Sequence, residues 1–246
     1  MAKAKITDFP LGAFVFLCFA LFYFGSASET LATPLNNWKV SCSVDKGSQR
    51  KSGNTITFKT SKNRCKGGTF GQRSEIKSGH ISAKIKGTYE FRSTVSFTSK
   101  ASEKFDIFQI HDGRSGCAPP LKLTVLPNGS LNFGSHYQTS DDKTAANKKK
   151  LKCDNVLSLT KKYSRHKIYK NGASQDLIVR IAFNGSGGFK ATVYLDGKFQ
   201  MEGDYAPSKD GAHYQSPHFY FKHGVYSKNM FDYTLNSTGM TVVKVE

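Results

Sequence analysis

Gln109 and His111 stand two residues apart in the apolar run FDIFQIH, residues 105–111. Residues two apart in a strand share a face. An amide and an imidazole therefore lie side by side, while Phe108 and Ile110 turn toward a core. The pattern recurs twice. In GQRSEIKSG, Arg73, Glu75 and Lys77 share one face against Ser74 and Ile76. In HFYFKHGVYSKN, Tyr220, Lys222, Gly224 and Tyr226 share one face against Phe219, Phe221 and Val225. Gly224 leaves a gap in that polar face, where a ligand could approach the backbone. Faces that only meet water carry Thr, Ser, Lys and Glu, so these three strands are unusual. Arg73 offers a planar fork of donors and Gln109 an amide donor. Both suit a carboxylate and the negative charge that develops when the carbon beside it loses a proton. His111 titrates near neutrality unaided and suits a general base. Tyr226 suits the acid that protonates a departing oxygen. Where proton and leaving group lie on the same side, Tyr226 could serve as both base and acid, with Lys222 and Arg73 favouring its ionised form. The scheme calls for no metal and no cofactor.

The segments around these three strands are strands and turns. NTITFKT sets Ile56 and Phe58 on one face, and HISAKIKG alternates Ile81, Ala83 and Ile85 with Ser82, Lys84 and Lys86. YEFRSTVSFT continues extended. LKLTVLPNGSLNFG predicts a hairpin turning at Pro127-Asn128-Gly129. DLIVRIAFNGSGGFKATVYLDGKFQMEG predicts three strands, joined by Asn184–Gly188 and by the two-residue turn Asp196-Gly197. MTVVKVE closes the chain, and residues 28–37 read as a short tether. No window carries an amphipathic helix with caps. The only helix-tolerant stretch, SDDKTAANKKKLKCDNVLSLTKKYSRHK, reads as a long loop. Many short strands with Gly-rich turns predict an all-β fold, a jelly roll or concanavalin-like sandwich of antiparallel strands.

The N-terminus has Lys3 and Lys5, an apolar run from Leu11 to Phe24, then Gly25-Ser26-Ala27. This is the layout of a signal peptide over residues 1–27. The run is short against the roughly 20 residues of a bilayer span. Residues 28–246 are then expected to form one secreted domain, extracellular or periplasmic, with no stable membrane association, acting as a monomer. Cys42, Cys65, Cys117 and Cys153 remain after the leader, and an even count in a secreted chain suggests two disulfides with three possible pairings. Proximity favours Cys42–Cys65 and Cys117–Cys153. None of them has the close spacing of a structural zinc site. The net charge is +18, falling to +17 without the leader's Lys3, Lys5 and Asp8. Ten Lys or Arg and a single acid, Asp154, lie between Lys143 and Lys170. Such a balance predicts an acidic partner, and export argues against nucleic acid.

The three polar strands together resemble the three signature motifs of the alginate-lyase family, the β-jelly-roll lyases of polysaccharide lyase family seven and their glucuronan-cleaving relatives. RSEIK at 73–77 is similar to R-[ST]-E-[LVI]-R, QIH at 109–111 to Q-[IV]-H, and YFKHGVYSK at 220–228 to Y-F-K-[AV]-G-[VI]-Y-N-Q. Lys77, His223 and Ser227-Lys228 depart from those patterns, where the family has Arg, a small residue and Asn-Gln. The resemblance implies β-elimination on an acidic polyuronate, alginate first and glucuronan second, with Arg73, Gln109, His111 and Tyr226 catalytic. Glu75, Lys77, Lys122, Tyr220 and Lys222 are candidate substrate-binding residues: Tyr220 as a ring for a sugar to stack on, Glu75 holding Arg73 or Lys77 in place, and Lys122, with Arg92, as a subsite cation. The other histidines, 80, 136, 166, 213, 218 and 223, are read as structural or surface residues. Two rivals stand beside this reading. One is a lectin-like module that only binds an acidic glycan. The other is a glycosidase, which needs two carboxylates flanking the bond. The motif strands offer Glu75 and Asp106, and alternation sets Asp106 on the face opposite Gln109 and His111.

Overall fold

The computed structural model describes residues 33–42, 44–62, 71–113, 119–135, 166–206 and 216–245, together with the backbone of three short strands at 137–138, 153–154 and 157–159. In chain order the strands are β1 (Lys39–Val40), β2 (Gln49–Ser52), β3 (Thr55–Lys59), β4 (Gln72–Lys77), β5 (Ile81–Ser82), β6 (Lys86–Thr98), β7 (Phe105–His111), β8 (Leu121–Val125) and β9 (Leu131–Gly134). After these come β10 (Tyr137–Gln138), β11 (Cys153–Asp154), β12 (Leu157–Leu159), β13 (Asn171–Asn184), β14 (Phe189–Leu195), β15 (Lys198–Tyr205), β16 (His218–Ser227) and β17 (Thr234–Lys244). One sheet runs β1-β4-β16-β7-β8-β9, with β5 on the end of β16. The other runs β12-β15-β14-β13-β6-β17-β3-β2, and all pairings are antiparallel. This is the antiparallel sandwich that the strand pattern predicts. No helix among the described residues is long and apolar enough to cross a membrane.

The core is aromatic. Phe105, Phe108, Phe219 and Phe221 of the first sheet meet Phe58, Phe91, Phe97 and Phe183 of the second, all buried. Phe91 and Phe108 touch with ring centroids 5.0 Å apart. Burial of such rings contributes on the order of 2–3 kcal/mol each, so the apolar half of every alternating strand is committed to this interior. Asp196 and Gly197 both take positive φ, at 52° and 71°, and close the β14–β15 hairpin in two residues. That conformation matches the right-handed twist of the flanking strands.

One reading changes. Residues 33–37 are packed against the body of the protein. A 3₁₀ turn over Pro34–Asn36 buries Leu35 completely. The Asn36 side chain donates to the Val242 carbonyl at 2.7 Å and accepts from the Val242 N–H at 2.6 Å, filling in for a missing strand at that edge. Cys42 is disulfide-bonded. Cys65, Cys117 and most of the basic 143–170 segment lie outside the described residues, and Cys153 is described in its backbone alone. The proposed leader, residues 1–27, also lies outside.

Candidate active site

The central strands of the first sheet set the candidate residues into rows. β16 runs between β4 and β7, and β8 lies beyond β7. Tyr226 is opposite Arg73 on one side and Asp106 on the other, and Asp106 is opposite Thr124. In the next row Lys222 is opposite Lys77 and Gln109, and Gln109 is opposite Lys122. Tyr220 is opposite His111. All nine candidate residues therefore stand on one face of one sheet. Arg92 does not join them. It lies on β6 of the other sheet and pairs with Glu90, which also holds Arg180 at 2.5 Å.

Glu75 is 1% exposed and stands between the first two rows, opposite Gly224. The Gln109 Nε2 donates to its Oε1 at 2.5 Å, and the Arg73 Nε lies 3.2 Å from its Oε2. The second contact is off-line. Both of its atoms lack an oriented hydrogen bond among the described residues, so it is an ion pair only. One amide hydrogen of Gln109 is spent on Glu75, which leaves one for a ligand. The guanidinium of Arg73 lies 4.2 Å over the Tyr226 ring, a cation–π contact that fixes both side chains.

The gap at Gly224 is occupied by the protein itself. Gly224 has φ of 134°, and a Cβ there would lie 2.2 Å from the Ser74 carbonyl oxygen. β4 and β16 approach so closely at this point that only glycine fits. The Gln109–Glu75 hydrogen bond crosses over β16 beside it, so the missing side chain makes room for a protein contact in place of a ligand.

The Gly113 N–H donates to the His111 Nδ1 at 2.9 Å. The neutral imidazole then carries its proton on Nε2. The Asp112 carboxylate stands 3.9 Å from the same Nδ1. Burial, partly offset by Glu75, lowers Lys222 to about 8, with Arg73 and Lys77 adding to the shift. Burial raises the Tyr220 hydroxyl to about 12, helped by Asp112. His223 points away from this face. Its Nδ1 meets the Ile107 carbonyl at 2.9 Å, its Nε2 meets the Ser237 hydroxyl at 2.6 Å, and burial lowers it to about 4. It is a neutral core residue.

Asp106 is a correction. The ladder is broken on both sides of β7 between Asp106 and Phe108: against β8 Ile107 is the extra residue of a β-bulge, and against β16 the extra residue lies on β16 between His223 and Tyr226. A bulge changes the parity of alternation, so Asp106 falls on the same face as Gln109. Thr124 Oγ1 donates to its Oδ1 at 2.5 Å. Burial raises its carboxyl to about 6 against the opposing pull of Lys122 and Thr124. The sequence does carry a trace of this. Ile107 and Phe108 are adjacent apolar residues in a strand that otherwise alternates.

Two histidines read as structural or surface residues extend the site. His80 stacks on Tyr220 at 4.8 Å and on His218 at 4.3 Å, while Tyr220 stacks on His111 at 5.3 Å. Four rings thus form a continuous platform at one end of the rows. A hollow of about 770 Å³ lined by Trp38, Lys39, Lys77 and His80 lies beside it. A cavity of about 230 Å³ at the other end is lined by Asp106, Lys122, Thr124 and Tyr226.

No protein-family model and no curated sequence matches the chain. Solved structures do. They include alginate lyase AlgAT5 of polysaccharide lyase family 7 (TM-score 0.54, 16% identity, 86% of this chain and 96% of that one). An alginate lyase from Pseudomonas aeruginosa matches at TM-score 0.54 and 12% identity, over 87% of this chain and 100% of that one. One from Klebsiella pneumoniae matches at TM-score 0.53 and 14% identity, over 87% and 97%. At such identities the likeness speaks to architecture, and this chain has the β-jelly-roll fold of the alginate lyases.

Proposed function

We propose that the chain is a secreted polysaccharide lyase that cleaves an acidic polyuronate, alginate first, by β-elimination. The observation that carries this is the set of rows in which Arg73, Tyr226, Lys222, Gln109 and His111 share one sheet face around the buried Glu75. The lyase fold of the structural neighbours and the excess of positive charge support it. Arg73, the remaining Gln109 N–H and the His111 Nε2–H neutralise the uronate carboxylate. This makes the C5 proton acidic enough to leave and stabilises the enolate-like charge that follows. Tyr226, with Arg73 against its ring, takes the C5 proton and returns one to O4 as the C4–O bond breaks. A new C4–C5 double bond remains. A base at His111 would first have to give up the Gly113 N–H on Nδ1 or the proton on Nε2. The tautomer therefore favours Tyr226 in both roles.

Such a mechanism needs C5–H and C4–O on the same side of the sugar ring, as in mannuronate and glucuronate. Guluronate places them on opposite sides. The test is ultraviolet absorbance from the new double bond on polymannuronate, polyguluronate and glucuronan separately. Wild type is expected to act on at least one same-side polymer and more slowly on polyguluronate, and Tyr226→Phe to lose activity by 10²-fold or more, the order of a positioned acid–base group. Retained binding with no absorbance on any polymer would replace the lyase by an acidic-glycan-binding module.

A further inference from the structure

Asp106 has no part in the chemistry above, and a carboxylate on a carboxylate-binding face works against ligand binding. It is nonetheless built in. The bulge at Ile107 turns it onto the face, the Ile107 carbonyl is held from inside by His223, and Thr124 binds its carboxyl. Its position is 5% exposed and directly across the ladder from Tyr226. Opposed residues of this kind have Cβ atoms about 5 Å apart. Asp106, Lys122, Thr124 and Tyr226 wall one cavity, which the exposed Lys104 and Lys228 also line.

We propose that Asp106 is a positioning residue that acts through Tyr226, setting the charge against which the tyrosine hydroxyl exchanges its proton. This rests on Tyr226 being the proton carrier of a lyase. The charged groups facing Asp106 are Lys104 just before β7, Lys122 on β8, Arg73 and Glu75 on β4, and Lys228 just after β16. When Asp106 is neutral, Arg73 and Lys122 act on Tyr226 unopposed and favour the phenolate. When it is ionised, it pairs with Lys122 and disfavours a second negative charge beside it. Burial places this change near pH 6, so turnover loses a component as pH rises through that value.

The test compares wild type with Asp106→Asn and Thr124→Val in two readouts. The first is kcat for double-bond formation from pH 5 to 9. The second is the alkaline phenolate absorbance of Tyr226, identified by difference against Tyr226→Phe. In Asp106→Asn the loss near pH 6 is expected to vanish, and Tyr226 to ionise about one pH unit lower. Thr124→Val removes a hydrogen bond that favours the carboxylate, so the loss is expected at higher pH. Superposable kcat profiles for all three proteins would overturn the proposal. If wild type forms no double bond on any polyuronate, the lyase reading fails. The phenolate titration then decides the Asp106–Tyr226 coupling by itself, an unshifted Tyr226 overturning it.

Discussion

Replacing either Asp106 or His223 should expose a pH dependence of stability that the two conceal together. His223 is fully buried and lowered from 6.5 to about 4. Between those values the unfolded chain holds a proton that the folded chain does not, so stability rises with pH by about 1.4 kcal/mol per unit, roughly 3 kcal/mol in all. Asp106 is raised from 3.8 to about 6. There the folded chain holds the extra proton, and stability falls with rising pH at the same rate, again by roughly 3 kcal/mol. The two windows nearly coincide and the slopes have opposite sign. Urea unfolding followed by circular dichroism at half-unit steps from pH 4 to 7 measures the balance. Asp106→Asn should gain about 3 kcal/mol on wild type as pH rises from 4 to 6.5, leaving the His223 slope alone. His223→Gln should lose a similar amount over the same span. The double variant should run parallel to wild type. Other carboxylates contribute to every curve and cancel in the differences. Single-variant curves that run parallel to wild type would refute the reasoning, because the burial assigned to both groups would then not govern their protons.

Gly224→Ala should cost at least 2 kcal/mol, roughly, from steric overlap with Ser74 and positive φ, read as a lowered urea midpoint with an unchanged slope. Lys222 sits near 8, so its charge is lost as pH rises through that value. kcat/KM on the preferred polymer should therefore decline above about pH 8, while Lys222→Met should be low throughout and lack that decline. Glu75→Gln should leave Arg73 and Gln109 without their shared anion. An activity loss of 10-fold or more is expected, together with a stability loss of about 3 kcal/mol from the uncompensated Arg73. Initial rates and urea curves on the same preparation separate the two effects.

The polar face of β4 and β16 was legible in the sequence because strict alternation holds along both. Register pairs Gln72–Lys77 with Lys222–Ser227 without interruption, so counting by twos places Arg73, Glu75, Lys222 and Tyr226 correctly. On β7 the same counting places Gln109 and His111, which follow the bulge, and fails for Asp106, which precedes it. Periodicity reports faces only while the ladder is unbroken. The Gln109–Glu75 contact was hidden for another reason. It joins strands two apart in the sheet, and nothing local to RSEIK or QIH says which strand lies between them. The His80–His218 stack was hidden similarly, since it depends on β5 folding back onto the start of β16.

The hydrogen bond from His223 to the Ile107 carbonyl links two positions whose histories should be tied together. A small residue at 223 offers that carbonyl no partner, and an unpartnered buried carbonyl selects against the extra residue in β7. A lineage that kept the bulge would keep the histidine. One that lost the histidine would straighten the strand, and an acid at 106 would turn inward among the phenylalanines. Among relatives, histidine at 223, adjacent apolar residues at 107 and 108, and an acid at 106 are therefore expected to arise and vanish as one inherited unit, marking a branch in which Tyr226 faces a carboxyl.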